Sequence, residues 1–478
     1  MQVVGALAAL LAFLPLGAGV LLLTGAWGLA RGVLRVGLAL FAGLATGAAA
    51  LPPLLYIGLS PTIPVVLLLG ALAFVAGCVV ARRSTFPSEE EMEAVSIGLL
   101  GLLAIAAPLV LLAVDRLRTR IATHDAWANW MLKAKLLYYD GGTFLGALDH
   151  RAFAVQSTAS PGHREYPLGV PALTGVVLHG ASGNVQDAAL LYPALLGGFA
   201  LVMWTVLRPR VPQWPLLAGL SLVLWLPMSR SLALNATGDL PVGVFFVASV
   251  LLFGLWLAEE TPGALPLAAL CGAAALACKR DALADCAVLA LFALVETFRL
   301  RRPDLARRMA IAVALMFGSI VPWRLFVSLH HLRNQDVSLG SKHLARNLHH
   351  VGFIAGRLAY LLLDGNYAYV VPIAAGAAAL ALARGGSRRL PTAVAGFGLG
   401  LFAMLIVVYV NATVNLVTLL RLSAGRTVYP LALLAASILP LLVVRALQPT
   451  LRPERSKAAS RRAAWPASAA EAQPLETG

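Results

Sequence analysis

Apolar blocks of about 20 residues recur along the whole chain, each long enough to cross the hydrocarbon core of a bilayer as a helix. They predict spans at 2–24, 33–56, 62–81, 95–114, 187–207, 214–230, 240–258, 263–278, 282–298, 309–327, 367–384, 391–411 and 427–446. The expected fold is therefore an all-α polytopic membrane protein with about 13 transmembrane helices. The polar breaks orient it by the positive-inside rule. Arg82–Arg83, Arg208 with Arg210, the run Arg299 to Arg308, Arg384 with Arg388 and Arg389, and the tail from Arg452 to Arg462 all belong on the cytoplasmic side. With that many crossings these sites fall on one side together, the N-terminus lies outside and the C-terminus inside. Residues 166–182 break the count. They are short for a crossing and carry Pro167 and Pro171 early, so they read as a re-entrant or surface-lying element lining a protein cavity. The tail, 447–478, is Ala-, Ser-, Pro- and Arg-rich and is expected to be disordered, basic and cytoplasmic.

Composition fits this pattern. Of 478 residues, 59% are hydrophobic and 12% charged, against about 25% charged in soluble domains. The net charge of +15 would suggest nucleic acid in a soluble protein. Here the basic residues sit in inter-helix loops and the tail, so no nucleic acid is expected. Only five of the 37 basic residues are lysine, at 133, 135, 279, 342 and 457. The four cysteines, Cys78, Cys271, Cys278 and Cys286, lie in apolar segments and read as small buried hydrophobes.

One polar island stands out because ionisable groups are costly in lipid. It runs Thr123-His124-Asp125-Ala126-Trp127-Ala128-Asn129-Trp130-Met131-Leu132-Lys133-Ala134-Lys135, and the loop after it ends in His163-Arg164-Glu165-Tyr166-Pro167. Helical periodicity over 124–139 puts Asp125, Asn129 and Lys133 on one face. Trp127, Trp130, Met131, Ala134 and Tyr138 cover the other, as in an amphipathic helix with its aromatic side in the headgroups. Three outward segments, 115–165, 231–239 and 328–366, are unusually polar. Asp239 opens a span on that face, and Lys279-Arg280-Asp281 places two cations and an acid between two others. Taken singly these are capping or snorkelling charges; together they describe an outer-leaflet cavity suited to a phosphate and a proton to be removed. The 328–350 loop holds five of the nine histidines; adjacent pairs cannot both point inward on one helix, so a solvated surface is favoured over a metal site.

These motifs resemble those of the GT-C glycosyltransferases, in the bacterial branch related to protein O-mannosyltransferases and lipid A aminoarabinose transferases. The likeness lies in Asp-Ala-x-x-x-Trp-x-x-Lys-Ala-Lys (125–135), Glu-Tyr-Pro-Leu-x-x-Pro (165–171), Asn-Ala-Thr-Gly-Asp-Leu-Pro (235–241), Cys-Lys-Arg-Asp-Ala-Leu (278–283) and Arg426-Thr-Val-Tyr-Pro430. It covers about residues 95–446, with the motifs in family order, and implies a GT-C-like catalytic region with juxtamembrane helices in its first large outer loop, 115–165. Residues 1–94 are additional spans whose default role is packing or partner binding.

The resemblance implies an inverting transfer of a sugar from a polyprenyl-phosphate donor to a cell-envelope acceptor on the outer face of the plasma (inner) membrane. It points to Asp125 as base, with Glu165 or His163 as its partner. Lys279 or Arg280 would hold the donor phosphate, with Lys133 assisting. Asp239 would orient a cation or hydroxyl, and Arg426 would contact phosphate or acceptor. Arg164 and Tyr166 complete the expected binding set. The chain departs from the family where a paired Asp-Glu is common: Asp125 is preceded by His124 and followed by Ala126. No cofactor is fixed by the resemblance, and a divalent metal stays open. Two other classes compete. A transporter or flippase would carry its charges near the bilayer midplane and often show internal repeats, neither of which is seen. A catalytically silent scaffold would share the fold but lack the chemistry.

Overall fold

The computed structural model describes residues 1–83, 94–121, 123–140, 163–332, 337, 341–384 and 388–447. Residues 448–478 of the expected tail, and 122 and 141–162 of the outer loop, lie outside the described residues. The protein is all-α; among the described residues the β pairings are two isolated bridges, Ala30 with Val95 and Val337 with Ala412.

Nine helices among the described residues are long and apolar enough to cross a membrane: Gln2–Thr24, Gly32–Leu55, Ile63–Arg83, Leu99–Arg118, Val185–Leu207, Asp239–Glu259, Pro303–Leu329, Arg389–Val410 and Leu416–Leu447. A tenth is the pair Gln213–Trp225 and Pro227–Asn235, bent by 43°. The bend falls at Leu226, which precedes a proline and is extended at ψ 120°, because the proline ring excludes the helical conformation there. The remaining three predicted spans are also helices, but each falls short. Ala264–Cys278 and Val370–Ala383 have 15 and 14 residues, about 22 Å of helix against roughly 30 Å of hydrocarbon. Ala282–Arg299 carries Asp285, Glu296 and Arg299. The protein is thus a multi-pass membrane protein with nine or ten full spans among its described residues.

Burial separates centre from rim. Val185–Leu207 and Asp239–Glu259 are 89% and 83% buried along their apolar windows, whereas Ile63–Arg83 is only 17% buried. The last exposes Leu67, Leu68, Leu72, Val75 and Val79, as a helix with one side in lipid must. The spans of residues 1–83 are built into the bundle: Phe41 packs on Phe245 at 5.3 Å between ring centroids.

The two ends of the bundle differ in chemistry. One gathers arginine-rich connections, with Arg210 paired to Glu259, Arg302 to Glu260 and Asp304 at 3.1 and 2.8 Å, and Arg299 to Glu296 at 2.9 Å. The other collects the start of Gln2–Thr24, the close of Leu99–Arg118, and Asp239, Lys279 and Arg426. Helix Gly169–Gly180 belongs to this second end. Its last residue lies against Gly5, so close that a Cβ on Gly5 would sit 2.0 Å from the Gly180 carbonyl oxygen. Asn184 just beyond it donates to Gln2 Oε1 at 2.9 Å. Its first residue meets Ala277, two residues before Lys279. Both ends therefore lie at one end of the bundle, and the helix runs across that end.

Candidate active site

The polar island enters this end as a π-helical turn, Ala126–Met131, that continues into the α-helix Leu132–Asp140. Such wider turns are rare and often found at functional sites. The expected headgroup-facing aromatic side is corrected here. Trp130, Met131 and Ala134 are buried in protein, as are Asn129 and Lys133 from the expected polar face, while Trp127 stays 39% exposed. Two tertiary features explain the reversal. Helix Gly169–Gly180 packs over Leu132–Asp140. Gly238 also leaves room for the Trp130 ring, which a Cβ there would approach to 2.5 Å. Trp130 then stacks on Tyr166 at 5.7 Å.

A chain of opposite charges links four distant segments. Asp125 accepts from Asn129 Nδ2 at 2.5 Å and, through Oδ2, pairs with Arg426 Nη1. The same guanidinium nitrogen lies 3.7 Å from Asp239 Oδ2. Asp239 Oδ1 pairs with Lys279 Nζ at 2.7 Å, and Lys279 reaches Asp281 Oδ2 at 2.8 Å. Asp239 and Lys279 are 5% and 7% exposed. Burial by itself would lower the Lys279 pKa, but Asp239 and Asp281 outweigh it and hold the ammonium well above the ordinary lysine value. Arg426 is presented by a helix secured at several points: Tyr367 donates to the Gly425 carbonyl, and Tyr409 bonds Ser423 and Thr427 at 2.9 and 3.0 Å.

A second group surrounds Tyr166. His163 stacks on its ring at 4.5 Å, and the ammonium groups of Lys133 and Lys279 each lie 5.9 Å from its centroid. His163 Nδ1 is 3.1 Å from Glu165 Oε1, and Trp323 holds the Glu165 carbonyl at 3.1 Å. Lys133 donates to the His163 carbonyl at 2.6 Å. Arg164 is half-buried in the same turn. Arg280 lies in the field of Glu165, Asp281 and Tyr166, but burial and the nearby Arg324 lower its pKa.

Lys133 is enclosed on all sides. Burial pushes its pKa down to about 7, with Glu165 opposing. The unfolded lysine titrates at 10.5, so between those two values the unfolded chain binds a proton that the folded chain refuses. Stability contributed at this site therefore rises with pH across that window, and the full penalty applies below it. Thermal unfolding in detergent should show a midpoint that climbs between pH 7 and 9.5 in the wild type and climbs less in Lys133→Met. Equal slopes in the two proteins would remove this account of Lys133.

The turn before Asp239 is held from outside the site. Ala236 is left-handed at φ +52°, with its carbonyl accepting from the buried Tyr192 hydroxyl at 2.8 Å. Arg116, fully buried, donates to the Leu234 carbonyl two residues earlier. A left-handed alanine costs about 1 kcal/mol relative to glycine. Ala236→Gly should accordingly raise the unfolding midpoint, by about 1 kcal/mol of stability or somewhat less. A lowered midpoint would show that the Ala236 methyl group matters more than the backbone strain.

Between the charged chain and the late spans lies a small cleft, partly open to solvent, lined by Asp239, Lys279, Asp281, Asp285, Arg426 and Thr427 with Leu405 and Val408 on its apolar wall. Asp239 Oδ2 is buried at its edge with no hydrogen-bond partner among the described residues. A divalent metal does not fit this donor set. The Lys279 ammonium already occupies the position between Asp239 and Asp281, and no group of three His, Cys, Asp or Glu converges among the described residues. All ten residues singled out from the sequence thus lie in one of the two groups at this end of the bundle. Asp285 and Trp323 were not brought forward by the sequence, and Asn129, Trp130 and Asp281 were named in its motifs without a role. Asp281 and Asp285 carried a legible signal, two acids one helical turn apart beside a rare lysine; Trp323 carried none, being remote in sequence.

No protein-family model, curated protein or solved structure matches the chain. The functional reading stands on the residues and their geometry.

Proposed function

We propose that the protein is an inverting membrane glycosyltransferase of GT-C type, which takes a sugar from a polyprenyl-phosphate donor and passes it to a cell-envelope acceptor. The observation that carries this reading is the placement of Arg426 between Asp125 and Asp239, with Asp239 in turn on Lys279. Four of the five motif segments thereby meet through charge, although Asp125 and Arg426 are 301 residues apart. In this reading Asp125 takes the proton of the acceptor hydroxyl, and the acceptor displaces one of its present partners, Asn129 or Arg426, to reach it. Lys279 and Arg426 stabilise charge gathering on the departing polyprenyl phosphate. Glu165 orients His163 at the rim, and the apolar wall of Leu405 and Val408 suits a lipid carrier. The arginine-rich opposite end suits the cytoplasm, which supports a site on the periplasmic or extracellular side of the plasma membrane.

A transporter is the rival. The charged residues here gather at helix ends: Asp239 opens its span, and Lys279 follows the close of another helix. That placement favours surface chemistry over passage through the midplane. The deciding experiment incubates purified protein in detergent or nanodiscs with polyprenyl-phosphate sugars and an envelope extract. Sugar transfer supports the enzyme; movement of the lipid across liposomes without transfer supports the rival.

A further inference from the structure

Of the acids lining the cleft, Asp285 is paired with neither Lys279 nor Arg426 among the described residues. It lies in the first turn of Ala282–Arg299, one turn after Asp281, and is 7% exposed. It opens onto the cleft together with Asp239, Lys279, Asp281 and Arg426. Its carboxyl group has no hydrogen-bond or ion-pair partner among the described residues.

The cations around it are already committed. Lys279 is shared by Asp239 and Asp281, and Arg426 is shared by Asp125 and Asp239. Among the described residues, the packed helices add no further charged side chain to the lining of the cleft. Arg389–Val410 contributes Leu405 and Val408 to the cleft, and the late span adds Thr427 and Pro430 beside Arg426. Asp239–Glu259 adds Val242, and the neighbouring Cys286 thiol is turned to the Gly272 carbonyl. Ionised Asp285 would therefore bring a fourth carboxylate to two cations at a position only 7% exposed. In such a cluster one acid keeps its proton, and a neutral carboxylic acid is a hydrogen-bond donor.

We propose that Asp285 is protonated at neutral pH and donates a hydrogen bond to the anionic group of a substrate held by Lys279 and Arg426. The proton stays on Asp285 and no bond is made or broken; the acid adds a donor without adding negative charge. Raising the pH until Asp285 ionises turns the donor into a like charge and expels the anion. The identity of that anion as a phosphate rests on the glycosyltransferase reading.

Two measurements on the full-length protein test this separately. Infrared spectra at neutral pH should contain the carbonyl band of a protonated carboxylic acid, absent from Asp285→Asn; this readout does not depend on catalysis. Binding of a short polyprenyl phosphate should weaken by about tenfold or more as wild type passes into alkaline pH. Asp285→Asn, a permanent donor, should bind with little dependence on pH, and Asp285→Ala should bind weakly throughout. Absence of the infrared band, or an Asp285→Asn profile that tracks the wild type, overturns the proposal. A band without any polyprenyl-phosphate binding overturns the anion assignment and the donor reading with it, while binding without the band overturns Asp285 alone.

Discussion

Asp125→Asn is expected to lower sugar transfer from a polyprenyl-phosphate donor by about 10²- to 10⁴-fold, the range over which a positioned general base acts. The substitution preserves volume, and an amide oxygen can still accept from Asn129, whose Nδ2 lies 2.5 Å from Asp125 Oδ1. What it removes is the negative charge facing Arg426 and the capacity to hold a proton. The loss should fall on kcat, with donor KM changed little, because Lys279 and Arg426 remain in place. Transfer by the variant at the wild-type rate would show that Asp125 is not the base. In that event the His163–Glu165 pair, at 3.1 Å, becomes the next group to test. Arg426 and Asn129 occupy the Asp125 oxygens, so the exchange of one of them for an acceptor hydroxyl is itself part of the expected chemistry.

The second large effect is on stability. Lys279→Met should destabilise the protein by about 3–5 kcal/mol, because removing one partner strands a buried charge. Asp239 is the stranded group: it is 5% exposed, and Lys279 at 2.7 Å is its nearest cation, with Arg426 a full ångström farther. Asp281 loses less, since its side chain is 36% exposed and water can replace the ammonium. The double variant Asp239→Asn/Lys279→Met should recover most of the loss, as neutral replacements of buried pairs commonly do. Unfolding of the three proteins in one detergent measures this. A single variant as stable as wild type would mean that water already reaches Asp239. Activity should be lost in both variants, which separates the structural and the phosphate-holding parts of the Lys279 role.

These two effects depend on the same connection. Arg426 touches Asp125 on one side and approaches Asp239 on the other, so the proposed base and the buried ion pair share one guanidinium. A change at either end alters how firmly Arg426 is held at the other, and double variants across it should be non-additive.

The sequence by itself determined that this chain is a helical membrane protein, because apolar runs of span length leave no other way to satisfy the backbone in lipid. It also marked the residues of the site, since a lysine or an acid in so apolar a chain is conspicuous at positions 125, 133, 239 and 279. It did not determine which apolar helices are full spans. Ala264–Cys278 and Ala282–Arg299 are as apolar in outline as their neighbours, and only folding showed one to be short and the other to carry its acid, Asp285, into a cleft. Nor did periodicity reveal that Lys133 and Trp130 are enclosed. A hydrophobic period reports which face of a helix avoids water, but not whether lipid or protein covers it. That was decided by helix Gly169–Gly180 lying across the bundle end and by the bare backbone at Gly238, contacts between segments too far apart for any local pattern to encode.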